Sequence, residues 1–210
     1  MLVDLNLRDF AQEVASSSPA PGGGSVAAYA GAQGFALIAM VCGLTLGREK
    51  FSSVQNEMQA LQVWSGEKLT RLLTLVDQDT DGFNAVMTSF ALPKSTEMET
   101  ELRRSQIERA MSTAAQVPLE TAQYCLEGLQ EIPGLLVAGN PNAISDIGVA
   151  ALMLRTGMEG ALYNVEVNAQ GLKDEINRRD LLVKCTNLRS EGNELAEDIS
   201  RTMEERLHVV

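Results

Sequence analysis

The chain has 210 residues, of which 45% are hydrophobic; this excludes a disordered protein and is enough for one substantial core. Aromatic residues make up only 4%, so Ala, Leu, Val and Met must fill that core, which favours closely packed helices over a β-sandwich. The formal net charge of −11 argues against nucleic acids and anionic membranes as partners, because both require a basic surface.

Helical periodicity runs through almost the whole chain, without the sustained alternation that is typical of strands. Asn6 predicts the N-cap of a short helix. A second helix follows a glycine-rich break and is expected to end near Leu46, with Gly47 as its C-terminal glycine. Residues 26–46 carry no charge and have about the ~20 residues of a membrane span, but their Ala and Gly content favours a buried helix.

The middle of the chain predicts two very long helices. The first is amphipathic and covers about residues 54–91, and Pro93 ends it. Thr96 and Glu99 form a capping-box pattern for the second, which we expect to reach residue 132 with a kink at Pro118. A loop is then predicted over 133–145, a helix capped by Ser145 over 146–168, and a last charged helix over about 179–207. The predicted architecture is therefore all-α, a single-domain bundle of long, partly kinked helices over residues 1–210.

Histidine and cysteine exclude several classes of site. The only histidine is His208, so a Ser-His-Asp triad, a Cys-His pair or a His-rich metal site has no partner in the body of the chain. The three cysteines are far apart and match neither a disulfide framework nor a metal-ligand spacing. We therefore expect no bound metal. Because the first residues also lack the basic-then-apolar pattern of a secretory signal, we expect a cytoplasmic protein. Acid–base chemistry is then left to carboxylates, with Lys or Tyr as alternatives.

The strongest candidate for a binding site is the glycine loop, which consists of Gly22, Gly23, Gly24 and Ser25. Consecutive glycines cost conformational entropy, and backbone N–H groups at the start of a helix can hold a carboxylate or phosphate. The alternative is a tight turn whose glycines let two helices touch. The residue types by themselves leave these interpretations equally open, although the missing Gly-Lys-Ser/Thr ending excludes a Walker loop.

A second candidate is the asparagine segment, residues 139–146, with the sequence GNPNAISD. It brings two amides, a hydroxyl and a carboxylate together before an apolar helix. Its residue types favour simple capping by Ser145, with Asp146 stabilised by the helix dipole.

Charged residues on the two long helices give further candidates. Asp77, Asp79 and Asp81 form a carboxylate triplet, but one short helical segment gives poor metal geometry. Asp77 and Asp81 share a face, for which a solvated surface is the default interpretation, whereas Asp79 points elsewhere. Arg109 leads into an apolar run and is a candidate partner for a ligand carboxylate; the alternative is pairing with the nearby Glu101 or Glu108.

Six motifs follow one another along the chain: PAPGGGSVAAYAGAQGFALIAMVCGLTLGREKF, VDQDTDGF, LPK, VPLE, GNPNAISDIGVAA and NVEVN. Through them the chain resembles, over roughly residues 5–175, the cyclodeaminase/cyclohydrolase family, which acts on one-carbon tetrahydrofolates. The resemblance implies an all-helical fold that forms a homodimer or higher oligomer, with a folate site at or near the subunit interface. It implies closure of 5-formimidoyl-tetrahydrofolate with loss of ammonia, as in histidine degradation, or hydrolysis of the 5,10-methenyl form.

The resemblance also implies roles for the candidate residues. A carboxyl group of raised pKa would move the proton, with Asp146 the first choice and Asp79 the second. Asn140 and Asn142 would contact the pterin, while the glycine loop and Arg109 would hold the glutamate carboxylates, with or without a polyglutamate tail. No cofactor beyond the tetrahydrofolate substrate is expected, and the alternative function is a non-catalytic folate-binding or interaction module. The remaining candidates for substrate binding are Pro21, Arg48, Ser145 and Asn164.

Overall fold

The computed structural model describes residues 1–208, and the side chain of His208 lies outside the described part. Every regular element in this part is helical, which confirms the all-α prediction. Three short 3-10 turns, Leu2–Asp4, Glu49–Val54 and Pro141–Ala143, precede or connect the helices. The six α-helices are α1 (Leu7–Val14), α2 (Gly23–Thr45), α3 (Gln55–Phe90), α4 (Glu97–Ala138), α5 (Ile144–Gln170) and α6 (Glu175–His208).

Five long helices, α2 to α6, form the bundle, and α2 lies deepest in it. Helix α2 packs on α3 and α5, α4 packs on the same two helices from the other side, and α6 covers the edge between α4 and α5. The core between them is mainly Leu, Ile, Val and Ala, with Phe35 of α2 packed edge-on against Trp64 of α3 at a ring-centroid distance of 5.3 Å. This matches the expectation that small aliphatic residues fill the core.

Helix α2 is long and apolar enough to cross a membrane, with a mean hydropathy of 1.6, yet 56% of its most apolar window is buried inside the protein. Its glycines explain how it fits there. A Cβ atom at Gly31 would lie 2.6 Å from the Cys125 sulfur, and one at Gly34 would lie 2.6 Å from Cγ of Leu154. The interpretation of this segment as a buried helix in close contact with its neighbours therefore agrees with the structure.

Local capping residues behave as their sequence predicts. The Asn6 side chain accepts a hydrogen bond from the Asp9 amide at 3.0 Å. Thr96 and Glu99 form the complete capping box, with reciprocal bonds of 3.2 and 3.0 Å. Gly47, just after α2, has a φ of +72°, a backbone conformation that favours glycine.

Two predicted boundaries are wrong. Helix α4 does not end near residue 132 but continues through Pro118 and Pro133 to Ala138. Leu135 and Leu136 are buried in the core, and their packing offsets the ~3 kcal/mol cost of a proline inside a helix. Ser145 does not cap α5 either, because the helix already begins at Ile144 and a 3-10 turn leads into it.

Candidate active site

Asp79 of α3 lies against the first turn of α2. The glycine loop therefore contacts a carboxyl group of the protein, in addition to any carboxylate of a ligand. The Ser25 hydroxyl donates a hydrogen bond to Oδ2 of Asp79 at 2.9 Å, and Ser25 is fully buried. A Cβ atom at Gly24 would lie only 2.1 Å from Oδ1 of Asp79. Glycine at this position thus leaves the space that the carboxyl group occupies.

Two opposing effects act on this carboxyl group. Burial raises the pKa of Asp79, while hydrogen bonds from the Ser25 hydroxyl and the Ser25 backbone N–H lower it, and burial is the larger effect. The positive end of the α2 dipole also favours an anion here. A partly buried carboxyl group that holds its proton more tightly than usual is suited to general acid–base chemistry.

Asn164 of α5 faces the glycine loop from the other side. Its side-chain Nδ2 donates to the Gly160 carbonyl at 2.8 Å and lies 3.6 Å from the position of a Cβ atom on Gly23. Pro21, just before the loop, is buried. The glycine loop, Asp79 and Asn164, which the sequence predicted as site residues, therefore lie together. We call this group the glycine-loop cluster; its members are Pro21, Gly22, Gly23, Gly24, Ser25, Asp79 and Asn164.

Arg109 of α4 lies at the same end of the bundle, since the α4 backbone around Ala114 contacts both Gly82 of α3 and Asn168 of α5. Arg109 is exposed, and within residues 1–208 no ion pair involves it. The alternative pairing is not observed: Glu101 pairs with Arg104, and Glu108 accepts hydrogen bonds from backbone amides at the start of α6. Arg109 is thus a cation that is available to a ligand.

The asparagine segment lies at the other end of α2, where Asn140 joins two helices. Its backbone amide donates to the Thr45 hydroxyl at 3.0 Å, and its side-chain Nδ2 donates to the Leu44 carbonyl at 3.1 Å. Its Oδ1 accepts from the Asn142 amide at 3.1 Å. Asn140 is only 3% exposed, so its side chain stabilises the fold, whereas Asn142 and Ser145 are exposed.

The two candidate carboxylates are far apart within one chain. Asp146 is half-buried on the first turn of α5, close to the end of α2 that also carries the exposed Arg48. Along α5, Asp146 and Asn164 are separated by about five helical turns, or ~27 Å, and therefore lie on the same side of the helix. Asp79 and Asp146 thus belong to opposite ends of the bundle and cannot act together on one substrate within a single chain.

Sequence reasoning missed Thr80, and its solvated-surface expectation for Asp77 is wrong. The Thr80 hydroxyl lies 3.3 Å from the Ser25 hydroxyl. Asp77 accepts a hydrogen bond of 2.5 Å from the backbone amide of Leu2, so it holds the N-terminal turn against α3 instead of facing solvent. Only Asp81 of the triplet is exposed, as the default interpretation predicted. Nothing in the residue pattern distinguished Thr80 from the other threonines of α3.

Comparison with known proteins agrees with this architecture. The family model described as formiminotransferase-cyclodeaminase matches residues 6–187. The chain belongs to the formiminotransferase-cyclodeaminase family. It is 37% identical over 203 residues to a methenyltetrahydrofolate cyclohydrolase of Methylorubrum extorquens, covering 96% of this chain and 97% of the relative.

Two further relatives define the family more broadly. The formimidoyltransferase-cyclodeaminase of Rattus norvegicus is 34% identical over 205 residues; the match covers 98% of this chain, which spans only 38% of that longer protein. The crystal structure of a formiminotetrahydrofolate cyclodeaminase from Thermotoga maritima superimposes with a TM-score of 0.88 at 26% identity. That comparison covers 99% of this chain and 100% of the other, so the family members share the whole helical bundle.

Proposed function

We propose that this member of the formiminotransferase-cyclodeaminase family is a folate one-carbon enzyme, a 5,10-methenyltetrahydrofolate cyclohydrolase or a formimidoyltetrahydrofolate cyclodeaminase. The observation that carries the proposal is the 37% identity to a cyclohydrolase over nearly the full length of both chains. The partly buried carboxyl group of Asp79 at the glycine loop supports it, because both reactions need a proton-transfer group. The substrate is a tetrahydrofolate, and the reaction needs no further cofactor.

Both reactions pass through a tetrahedral carbon that bridges N5 and N10 of the folate. In the cyclodeaminase reaction N10 attacks the formimidoyl carbon, and ammonia leaves after its nitrogen receives a proton. In the cyclohydrolase reaction water adds to the methenyl carbon and loses a proton, which leaves a hydroxyl on that carbon. N5 then takes up a proton, the hydroxyl loses its proton, and the bond from carbon to N5 breaks to give the 10-formyl product. Each sequence requires a group that gives and takes a proton near the bridging carbon.

We propose Asp79 for this proton transfer. Its carboxyl group is partly buried and held by a buried hydroxyl, and burial raises its pKa, so the protonated form persists to higher pH than for an exposed aspartate. Asp146 is the second candidate, as a carboxylate that stabilises the methenyl cation. Arg48 and Arg109 are exposed cations suited to the glutamate carboxylates of the substrate.

The proposed oligomer is a homodimer that forms through the outer surface of α2 and α5. Exposed apolar residues recur at intervals of 14 and 4 residues on α2 and of 3, 11 and 4 residues on α5. Each interval is close to a whole number of helical turns, so each helix presents an apolar stripe. The stripes adjoin, because a Cβ atom at Gly160 of α5 would lie 3.1 Å from Cβ of Ala27 of α2. We call this surface the α2–α5 face; its exposed apolar residues are Val26, Met40, Leu44, Val149, Leu152, Tyr163 and Val167.

A two-fold dimer through this face would also complete the site. The glycine-loop cluster and the asparagine segment lie at opposite ends of α2 and α5. A two-fold axis in the middle of the face and at right angles to α2 and α5 would place opposite ends of the two copies next to each other. Asp79 of one protomer would then lie near Asp146 of the partner subunit, which provides the proximity that a single chain lacks.

The test is to incubate the purified protein with each tetrahydrofolate substrate and follow the near-ultraviolet absorbance of the methenyl form. We expect faster loss of methenyl-tetrahydrofolate, or its formation from the formimidoyl substrate with release of ammonia. Binding of either folate without turnover would instead support the alternative function, a non-catalytic folate-binding module. If the protein changes neither rate and binds neither folate, the proposed function is wrong.

A further inference from the structure

The Thr80 hydroxyl is directed differently from those of the other helical threonines on α3. Thr70, Thr74 and Thr88 each donate to the carbonyl four residues earlier, at 2.9, 3.1 and 2.8 Å. The hydrogen bond of Thr80 within the described residues is instead to the Ser25 hydroxyl of α2, at 3.3 Å. Thr80 thus gives up the local partner that a helical threonine usually takes.

Ser25 connects Thr80 to Asp79. Its oxygen lies 2.9 Å from Oδ2 of Asp79 and 3.3 Å from Oγ1 of Thr80, and the residue is fully buried. A hydroxyl group has one hydrogen to donate and can also accept. The three side chains therefore form a short chain of hydrogen bonds with Ser25 in the middle.

This chain of hydrogen bonds can run in either direction. When Asp79 is ionised, Ser25 donates to the carboxylate and can accept from Thr80. When Asp79 is protonated, its O–H can donate to Ser25, and the Ser25 hydrogen then turns towards Thr80, which accepts it. The change requires only rotation about C–O bonds, so no covalent bond breaks apart from the proton that Asp79 gains or loses.

We propose that Thr80 is a positioning residue for the reaction, which accepts the Ser25 hydrogen whenever Asp79 carries a proton and so holds the protonated carboxyl group in place. This inference rests on the proposed function, since it takes protonated Asp79 as the group that gives a proton to the departing nitrogen. Without the Thr80 hydroxyl, the protonated state leaves the Ser25 hydrogen buried with no acceptor, which is costly. The ionised state keeps its bond from Ser25 to Asp79.

Few charged groups surround this chain of hydroxyls. Helix α2 carries no charged residue from Gly23 to Thr45, and its titratable side chains are Tyr29 and Cys42. On α4, residues 110–117 are uncharged between Arg109 and Glu120.

The titratable neighbours lie on the other elements. On α5, near Asn164, they are Tyr163 and the two carboxylates paired with Arg189 of α6. On α3 itself they are Asp77 and Asp81. The paired carboxylates are Glu159 and Glu166; the N-terminal turn adds the Met1 amino group paired with Asp4.

The experiment compares Thr80→Val, which removes the hydroxyl with little change of shape, with Thr80→Ser, which keeps it. The kcat should fall as the pH rises and Asp79 loses its proton. In Thr80→Val we expect this fall at a pH about one unit lower, because the protonated form of Asp79 is destabilised. Thr80→Ser should restore the wild-type profile. Thr74→Val is the matched control, because the Thr74 hydroxyl bonds only to its own helix, and its profile should not move.

A second measurement separates this inference from the proposed function. Carbon-13 NMR titration of the Asp79 carboxyl group in the free protein, assigned with Asp79→Asn, should give the same downward shift in Thr80→Val without any substrate. An unchanged or raised Asp79 pKa, or a Thr80→Ser profile like that of Thr80→Val, would overturn the inference. If Thr80→Val does not fold, Thr80→Ala removes the same hydroxyl without added branching. Should Asp79→Asn retain full activity, the catalytic role of Asp79 fails, and the NMR shift still decides whether Thr80 holds its proton.

Discussion

Gly24→Ala tests whether the glycine loop exists to hold Asp79. The new methyl group would lie 2.1 Å from Oδ1 and 2.6 Å from Cγ of Asp79, so the carboxyl group must move away from Ser25. Loss of its hydrogen bonds costs about 1–3 kcal/mol, while replacement of glycine by alanine in a helix returns up to about 1 kcal/mol. We therefore expect a free energy of unfolding lowered by about 0–3 kcal/mol, but a fall in kcat of about 100-fold or more.

Gly66→Ala of α3 is the matched control for this prediction. A Cβ atom at Gly66 has no neighbour within 4 Å, so the same substitution should stabilise the protein by about 0.5–1 kcal/mol and leave kcat unchanged. Urea unfolding gives the two stabilities, and the methenyl-tetrahydrofolate assay gives the two rates. A Gly24→Ala protein that is more stable than wild type and equally active would refute the argument that Asp79 needs this space.

Four further predictions concern the carboxylates and the α2–α5 face. Asp79→Asn should lower kcat by about 10²–10⁴-fold in the folate assay, because it removes the proposed acid. Because the folded-state pKa of Asp79 is raised, the folded protein binds this proton more tightly than the unfolded chain. Stability should therefore fall as pH rises from the ordinary aspartate pKa through the folded-state value, and Asp79→Asn should flatten that part of a urea-unfolding pH series. Leu152→Glu should give monomers by light scattering, since Leu152 is an apolar residue of this face and is 64% exposed. Mixing Asp79→Asn with Asp146→Asn protomers should restore about one quarter of wild-type activity, because half of the dimers are mixed and each has one intact site.

Each of these predictions has an outcome that contradicts it. Asp79→Asn with wild-type kcat would exclude Asp79 as the acid, and an unchanged pH dependence of stability would exclude its raised pKa. A Leu152→Glu dimer would show that the copies associate through another surface. Inactive mixtures of the two inactive variants, after complete subunit exchange, would show that Asp79 and Asp146 do not belong to one shared site.

Local features of the fold were predictable because their causes lie within a few residues of sequence. Asn6, the pair Thr96 and Glu99, and Gly47 all act on backbone groups within a turn of themselves, so residue type and spacing are sufficient. The boundaries that failed depend on distant contacts. Helix α4 passes through Pro133 because Leu135 and Leu136 pack in the core, which no local rule contains.

The sequence by itself determined the helical class, the family and the residue types of the glycine loop, since these follow from composition and from motifs read along the chain. Only the tertiary structure decided what those residues do together. It placed Asp79 against Ser25, 54 residues away, and it separated Asp146 from both by the length of a helix. Burial and contact depend on which helices pack side by side, and that arrangement explains why burial raises the pKa of Asp79.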